Sequence, residues 1–311
     1  MGNHEGHEAR EFTEKAISSG FAAVGFSRAR RPPFFGQFSQ WIAAGKQGEM
    51  GWLGKHLDVR ENPKNLLEGC ETVITLAYPY SSSKPCTPDG FSTARYSEPR
   101  KSDYHDRLRK LARNLALGIE KGHSGAISRI CVDSAPLLER SFAHASGTGF
   151  IGKNNMFIVP GQGSYLFLAE ILTTAPFPSS QRQPMENQCG ACTRCLDACP
   201  TGALERPFFL DASKCLSYVT IEKPGVVSRE AGRNMGACFF GCDVCQEVCP
   251  FNHNKDRDAD LSLPSTERIL EMKDEDFKRE FGKTAFARAG LEKVKSNIRA
   301  VRNNSGDTLL I

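Results

Sequence analysis

The sequence predicts an α+β protein in three parts: a mixed α/β domain over residues 1–180, a small cysteine-rich domain over 181–258, and a helical segment over 259–311. Three observations lead there. Short runs rich in β-branched and aromatic residues alternate with amphipathic stretches through the front of the chain. Nine of the twelve cysteines fall between Cys189 and Cys249. Behind them, apolar residues recur at helical spacing.

Taken in order, residues 8–19 read as a helix, 21–26 (FAAVGF) as a short apolar strand, and 38–44 as helix again. Residues 73–80 (VITLAYPY) form a strand, and SSSKPCTPDG after it is a loop by its Ser, Pro and Gly content. Residues 103–121 make a long amphipathic helix, with Leu108, Leu111, Leu115 and Ile119 on one face. A strand over 127–132 leads to a helix over 136–145 that carries Pro136 in its first turn. Residues 155–160 and 165–172 pair as a hairpin across GQGS, and APFPSSQRQ (175–183) is a linker. Near the end, 286–302 is a helix striped with Leu291, Val294, Ile298 and Val301. Arg288, Lys295, Arg299 and Arg302 share another face of it. That face is either solvated or a contact for nucleic-acid phosphates.

Composition is that of an ordinary globular protein: 40% hydrophobic, 24% charged, net charge +4. Mild basicity is compatible with an anionic partner. No run of eighteen apolar residues occurs, and MGNHEGHEAREFTEKAISSG has neither a signal-peptide core nor a twin arginine. The expected location is the cytoplasm, where thiols stay reduced, so a disulfide knot is a poor account of the cysteines. Cys70, Cys86 and Cys131, scattered through the front, read as small buried hydrophobes.

The other nine form a pattern. Cys189-x2-Cys192-x2-Cys195-x3-Cys199-Pro200 is the bacterial ferredoxin run for a [4Fe-4S] cluster, whose fourth cysteine ligates the other cluster when two are present. A four-cysteine zinc site usually separates two CxxC pairs by a longer loop, whereas three thiolates crowd one turn in this run. A second half-motif, Cys242-x2-Cys245-x3-Cys249-Pro250, lacks one cysteine. Crossed ligation assigns Cys189, Cys192, Cys195 and Cys249 to one cluster, and Cys199, Cys242 and Cys245 to the other. The eighth ligand is Cys215 or Cys238. Cys238 would make a CxxxC step, which favours Cys215 and leaves Cys238 spare. Two adjacent cubanes form an electron wire, and the residues before it are left to hold what is reduced.

Two phosphate-binding patterns, GTGFIG from Gly147 and GTGFIGK ending at Lys153, lack their context. Both require a strand before the loop and a helix after it, and the predicted order is the reverse.

CVDSAPLLERSFAHASGTGFIGKNN (131–155) resembles the VDxxPxxER…AGLGxxGKN segment of epoxyqueuosine reductases. ARYSEPRKSDYHDRLRKL, FLAEILTT, CGACTRCLDACPTGAL, DASKCLSYVTIE and GCDVCQEVCPFN match the same family in order, over most of residues 10–255. The resemblance implies a cobalamin-binding front domain, two [4Fe-4S] clusters, and reduction of epoxyqueuosine to queuosine at the wobble base of tRNAs with a GUN anticodon. The electrons would come from an external low-potential donor such as flavodoxin or ferredoxin. It implies that the cobalamin is base-off, because no Asp-x-His-x-x-Gly motif is present, and that the protein works as a monomer. The family's proton donor falls on Asp133. Its corrin pocket falls near Arg60, Asp133, Phe157, Leu168, Ser217, Cys242 and Asp243.

Removing an epoxide oxygen to leave an alkene consumes two electrons and two protons, so an acid is required. Asp133 could instead cap the helix behind it, but Ser134 is available for that. Glu139 and Arg140 read as an ion pair or a scaffold. Tyr104 and His105 fall on a charged helix, where a solvated histidine is the expectation. Longer family members append a helical-repeat domain, and 59 residues follow Asn252 in this chain. Two other readings compete: a different corrinoid iron–sulfur reductase, of the reductive dehalogenase kind, and a non-catalytic electron-transfer module.

Overall fold

The computed structural model describes residues 2–178, 183–252 and 261–305, which fall into two compact units. The domain boundaries expected at 180/181 and 258/259, and the middle of the expected linker, lie outside the described residues.

The first unit gathers the chain up to Gly45, Trp52–Pro79 and His105–Cys192. At its centre is a four-stranded sheet in the order Ala23–Arg28, Thr72–Pro79, Leu166–Thr173, Ser128–Cys131, with every neighbouring pair antiparallel. The two central strands, TVITLAYP and LFLAEILT, are buried along most of their length and therefore do not alternate apolar with polar. The edge strands end in or expose arginines, Arg28 and Arg129, which discourages pairing with another chain. The Tyr104–Gly122 helix buries Leu108, Ala112, Leu115, Ala116 and Ile119, the single stripe its sequence predicts. From the Glu139–Ala145 helix, Phe142 enters a core with Val73, Cys131, Leu137 and Leu172.

Three details of this unit differ from expectation. Residues 155–160 and 165–172 do not form a hairpin. Phe157–Ile158 pairs with Phe150–Ile151, and a single bridge from Val159 to Gly163 closes the GQGS turn. Leu166–Thr173 is buried on both faces, which suits a central strand of the larger sheet rather than half of an isolated hairpin. Second, the helix expected from Pro136 starts at Glu139. Proline disfavours helical backbone at Ala135, and residues 132–137 instead make tight turns, with Ser134 N–H donating to Val132 O and Leu137 N–H to Ala135 O. Third, the start of the expected linker is anchored. Phe177 stacks on Phe26 with centroids 5.3 Å apart, and its N–H donates to Thr72 Oγ1.

The second unit comprises Lys46–Gly51, Tyr80–Tyr104 and the chain from Thr193 onward. Each ferredoxin-type run carries a four-residue helix, Arg194–Asp197 and Val244–Glu247. The residues before them have nearly the same backbone, φ −125° and ψ 6° at Thr193, φ −113° and ψ 1° at Asp243. The repeat in sequence is thus a repeat in conformation.

Behind these turns, Thr266–Glu271, Asp274–Phe281 and Leu291–Ser305 are helices. They build a core of Phe277, Phe281, Phe286, Leu291, Val294, Ile298 and Val301 around Phe239 and Phe240. The helix expected over 286–302 is interrupted. Ala285–Arg288 is a 3-10 turn, Gly290 takes φ +76°, and the α-helix begins at Leu291. Two of its four basic residues are engaged within the unit: Arg288 pairs with Glu222 at 2.7 Å, and Lys295 Nζ donates to Met272 O at 2.7 Å. Arg299 and Arg302 are exposed. Cys70 and Cys131 are buried as expected, but Cys86 is exposed, because its loop runs along the surface. No helix among the described residues is long and apolar enough to cross a membrane.

Candidate active site

The Ser128–Cys131 strand delivers the chain to Asp133, which has φ +51°. Left-handed backbone is uncommon outside glycine, and aspartate is among the residues that tolerate it. Two contacts hold it there. Asp133 Oδ2 lies 3.0 Å from His105 Nε2, in the first turn of the Tyr104–Gly122 helix. Asp133 N–H donates to Glu139 Oε1 at 2.6 Å. Glu139 opens the Glu139–Ala145 helix, where the unpaired amides and the helix dipole favour a negative charge.

Neither Asp133 nor Ser134 caps that helix. Its N-cap position is Leu138, with no side-chain cap bond. Ser134 Oγ instead donates to Val132 O and accepts from Arg109 Nη2 at 3.0 Å. The Asp133 side chain is 46% exposed, so its carboxyl is accessible to a substrate although His105 contacts it. His105 is not a solvated histidine, since the turn carrying Asp133 folds back over the first turn of its helix. Glu139 and Arg140 do not form the expected ion pair: Arg140 Nη1 donates to Asn155 O at 3.0 Å.

Beneath the loop lies Glu170, in the middle of the Leu166–Thr173 strand between Cys131 and Thr75. It is fully buried, and neither carboxyl oxygen has a hydrogen-bond donor. Burial, and then the Glu139 carboxyl beside it, push its pKa well above the ordinary carboxylate range. The buried Arg60 guanidinium feels the Glu139 charge, stands 5.5 Å from the centroid of the Phe38 ring, and has an Nε without a partner. Phe157 and Leu168 pack around Ala143, one helical turn on from Glu139. Arg60, Asp133, Phe157 and Leu168 therefore all relate to one short helix.

The glycines after that helix serve packing. Gly147 has φ +71° at the helix end, and a Cβ on Gly149 would sit 2.3 Å from Ile158 O. Lys153 Nζ is occupied by Gly190 O at 2.6 Å and Cys192 O at 2.9 Å. The lysine of the phosphate-like pattern clasps a cysteine turn instead. In the same turn, Asn187 Oδ1 accepts Cys189 N–H, and Asn187 Nδ2 donates to Ile151 O and reaches Cys189 Sγ at 3.7 Å.

Cys189 and Cys192 belong to the first unit, and Cys195, Cys199, Cys215, Cys238, Cys242, Cys245 and Cys249 to the second. Within the second unit, burial and then Cys242, Cys215 and Cys195 raise the Cys245 thiol far above its ordinary value. Burial and then Cys215 and Cys238 push Cys242 up to about 12. Cys215 is raised by burial, with Cys199 adding to it. Thiols that hinder one another's ionisation are what a polynuclear iron centre would relieve, since it takes them all as thiolates. Among the described residues, no group of three or more His, Cys, Asp or Glu side chains is placed to hold a metal ion. Cys238 also bears on Cys242, but its own charged neighbours are Lys84, Asp243 and Glu247, and its Sγ turns to the carbonyls of Phe240 and Gly241.

Asp243 is almost fully buried and accepts both the N–H of Arg95 at 2.7 Å and its Nη1 at 3.2 Å. Ser217 lies in the Leu216–Ile221 helix, its carbonyl accepting from Thr220. Sequence reading passed over Glu170. The signal was present, a lone carboxylate inside FLAEILTT, where ionisable residues are rarely buried without a purpose.

Residues 60–134 match the family model described as epoxyqueuosine reductase QueG, DUF1730, and residues 188–252 match a 4Fe-4S double cluster binding domain. The chain is similar to the epoxyqueuosine reductase of Synechococcus sp. (strain RCC307), 37% identical over 83% of this chain and 79% of the relative. Its fold is similar to a crystal structure of epoxyqueuosine reductase with a tRNA-Tyr epoxyqueuosine-modified tRNA stem loop. There the TM-score is 0.84 and the identity 29%, over 98% of this chain and 83% of the other. A third likeness is to an epoxyqueuosine reductase from Bacillus subtilis with its catalytic loop swung out of the active site. In that case the TM-score is 0.82 and the identity 28%, over 98% of this chain and 83% of that one.

Proposed function

The chain belongs to the epoxyqueuosine reductase family, and we propose that it reduces epoxyqueuosine to queuosine at the wobble position of tRNA, with Asp133 protonating the epoxide oxygen. One observation supports that role most: Asp133 is fixed in a left-handed turn by His105 and Glu139, yet does no capping and remains half exposed.

The donor sets fit the groups the family implies. Cys215, Cys242 and Cys245 are thiols raised by burial and by cysteine neighbours, with Cys199 acting on Cys215; the Arg60 Nε is a buried donor awaiting an acceptor, and Phe157 and Leu168 offer apolar surface. Cys189, Cys192, Cys195 and Cys249 would hold one [4Fe-4S] cluster, and Cys199, Cys215, Cys242 and Cys245 the other. A base-off cobalamin would meet Arg60, Asp133, Phe157, Leu168, Ser217, Cys242 and Asp243. When bound, the clusters supply single electrons and cobalamin a low-valent cobalt that couples them at carbon.

The remaining work falls to the chain's own residues. His105 holds Asp133 Oδ2 and so fixes the direction of the carboxyl. The carboxyl proton meets the opening oxygen before it accumulates charge as an alkoxide. We assign residues 1–180 to cofactor binding and catalysis, 181–258 to the clusters and 259–311 to a helical segment. The enzyme would act as a cytoplasmic monomer on tRNAs with a GUN anticodon, with electrons from a flavodoxin or ferredoxin.

Asp133→Asn tests the acid. It keeps the shape of the side chain and removes its proton, so turnover should fall roughly 10² to 10⁴-fold while iron, cobalt and tRNA affinity are retained. A loaded variant that turns over within about threefold of wild type removes Asp133 from the chemistry.

A further inference from the structure

Glu139 faces two directions at once. One oxygen accepts the Asp133 amide at 2.6 Å, while the carboxyl also lies beside Glu170, whose own oxygens are buried without a donor. Two carboxylates set against each other away from water cannot both stay ionised. A proton held between them neutralises one charge and supplies the donor that Glu170 lacks.

We propose that Glu139 and Glu170 share one proton, and that this pair is a latch that positions Asp133. The inference rests on the reading of Asp133 as the acid only in what the latch is for.

Several charged groups among the described residues bear on the pair, Arg129 reaching it across Cys131. Burial, and then the neighbouring Asp133 carboxyl group, push Glu139 up to about 7, while the Asp133 amide and the Arg140 guanidinium pull it down. Arg60 faces Glu139 from the Leu57–Glu61 helix, His105 sits across Asp133, and Cys131 is a neutral thiol pushed up to about 12. At low pH the pair holds two protons and Glu139 offers Asp133 only a neutral oxygen; the single shared proton is the state reached as Glu139 ionises, near pH 7. Above it Glu139 is an anion, gripped by the Glu170 hydroxyl and gripping the Asp133 amide through a charge-assisted bond, about twice as strong as a neutral one. The latch therefore tightens as pH rises through 7. Glu139 touches no substrate atom in this account. It is a positioning residue.

The test compares wild type, Glu139→Gln and Glu170→Gln as anaerobically loaded holoenzymes turning over epoxyqueuosine-containing tRNA. Wild-type kcat should rise through an inflection near pH 7. Glu139→Gln should lose the inflection and, above pH 7, about tenfold in kcat, with KM for tRNA unchanged. Glu170→Gln supplies a permanent N–H donor to Glu139, so the inflection should move to lower pH with kcat restored. Infrared titration gives a second readout that needs no turnover. A protonated-carboxyl band should bleach near pH 7 in wild type and be missing from that range in Glu139→Gln.

A wild-type pH profile in Glu139→Gln, or the same band titrating unchanged in it, overturns the proposal. Asp133→Asn, run alongside, separates the two claims. If it turns over normally the reading of Asp133 has failed, and with it the latch's purpose. If it is inactive while Glu139→Gln behaves as wild type, the latch alone has failed.

Discussion

A non-glycine residue in left-handed backbone costs on the order of 1–3 kcal/mol, and at Asp133 two neighbours hold that conformation in place. The His105 contact and the Glu139 contact act on different parts of the residue, side chain and amide, so the carboxyl is fixed in direction as well as position. The cysteines pose a residue-scale question of their own. Cys215 neighbours Cys199, Cys242 and Cys245, whereas Cys238 neighbours Cys242 and a group of charged side chains. Cys215→Ser should lose about four irons and most activity, and Cys238→Ser should keep its iron. Iron analysis of the two reconstituted variants decides it, and the reverse outcome exchanges their roles. The cysteine runs were legible because ligand spacing is local, and Asp133 because it falls in a segment resembling a known family. His105 and Glu170 were not assigned, since each meets its partner across 28 or more residues and no local period announces such a meeting.

At the scale of elements, the Leu166–Thr173 strand and the Glu139–Ala145 helix together place two carboxyls out of water. This has a consequence for stability that depends on pH. In the unfolded chain both glutamates titrate near their ordinary value of 4.5, whereas in the fold Glu139 is raised to about 7 and Glu170 further. Below 4.5 both states are protonated and the pair is pH-neutral. Between 4.5 and 7 the folded protein keeps protons that the unfolded chain has released, so stability is lost as pH rises. Thermal unfolding across that window should therefore show a falling contribution in wild type that the double variant Glu139→Gln/Glu170→Gln lacks. Equal slopes would mean the pair is ionised in the fold. Element existence was legible from periodicity: Tyr104–Gly122 and the stripe of Leu291–Ser305 stand within a few residues of expectation or inside it. The errors share a cause. From sequence, Leu166–Thr173 reads as half of a local hairpin, because pairing with Thr72–Pro79, nearly a hundred residues earlier, leaves no mark on the residues between. The late start at Glu139 reflects the tight turns of residues 132–137, which Pro136 permits but does not reveal.

For the whole molecule, likeness to the family runs over 98% of the chain, so the catalytic assignment does not rest on the cysteine motif alone. The contribution of the last helix to tRNA binding rests on less. Arg288 and Lys295 are engaged inside their unit, so a phosphate-contact role for this helix would fall to the exposed Arg299 and Arg302. Changing both to Gln should weaken tRNA binding and lower the salt dependence by up to about one slope unit per contact, measured as affinity against salt concentration. An unchanged slope returns those two arginines to the solvated surface.

The central chemistry is one conversion, and mass analysis of the nucleoside reads it directly. Anaerobically reconstituted protein, loaded with iron and cobalamin and given a strong reductant, is incubated with a tRNA stem loop carrying epoxyqueuosine. The account predicts that the modified nucleoside loses the mass of one oxygen and becomes queuosine with wild-type protein, and stays largely unconverted with Asp133→Asn. Fully loaded wild-type protein that leaves the epoxide intact would contradict it.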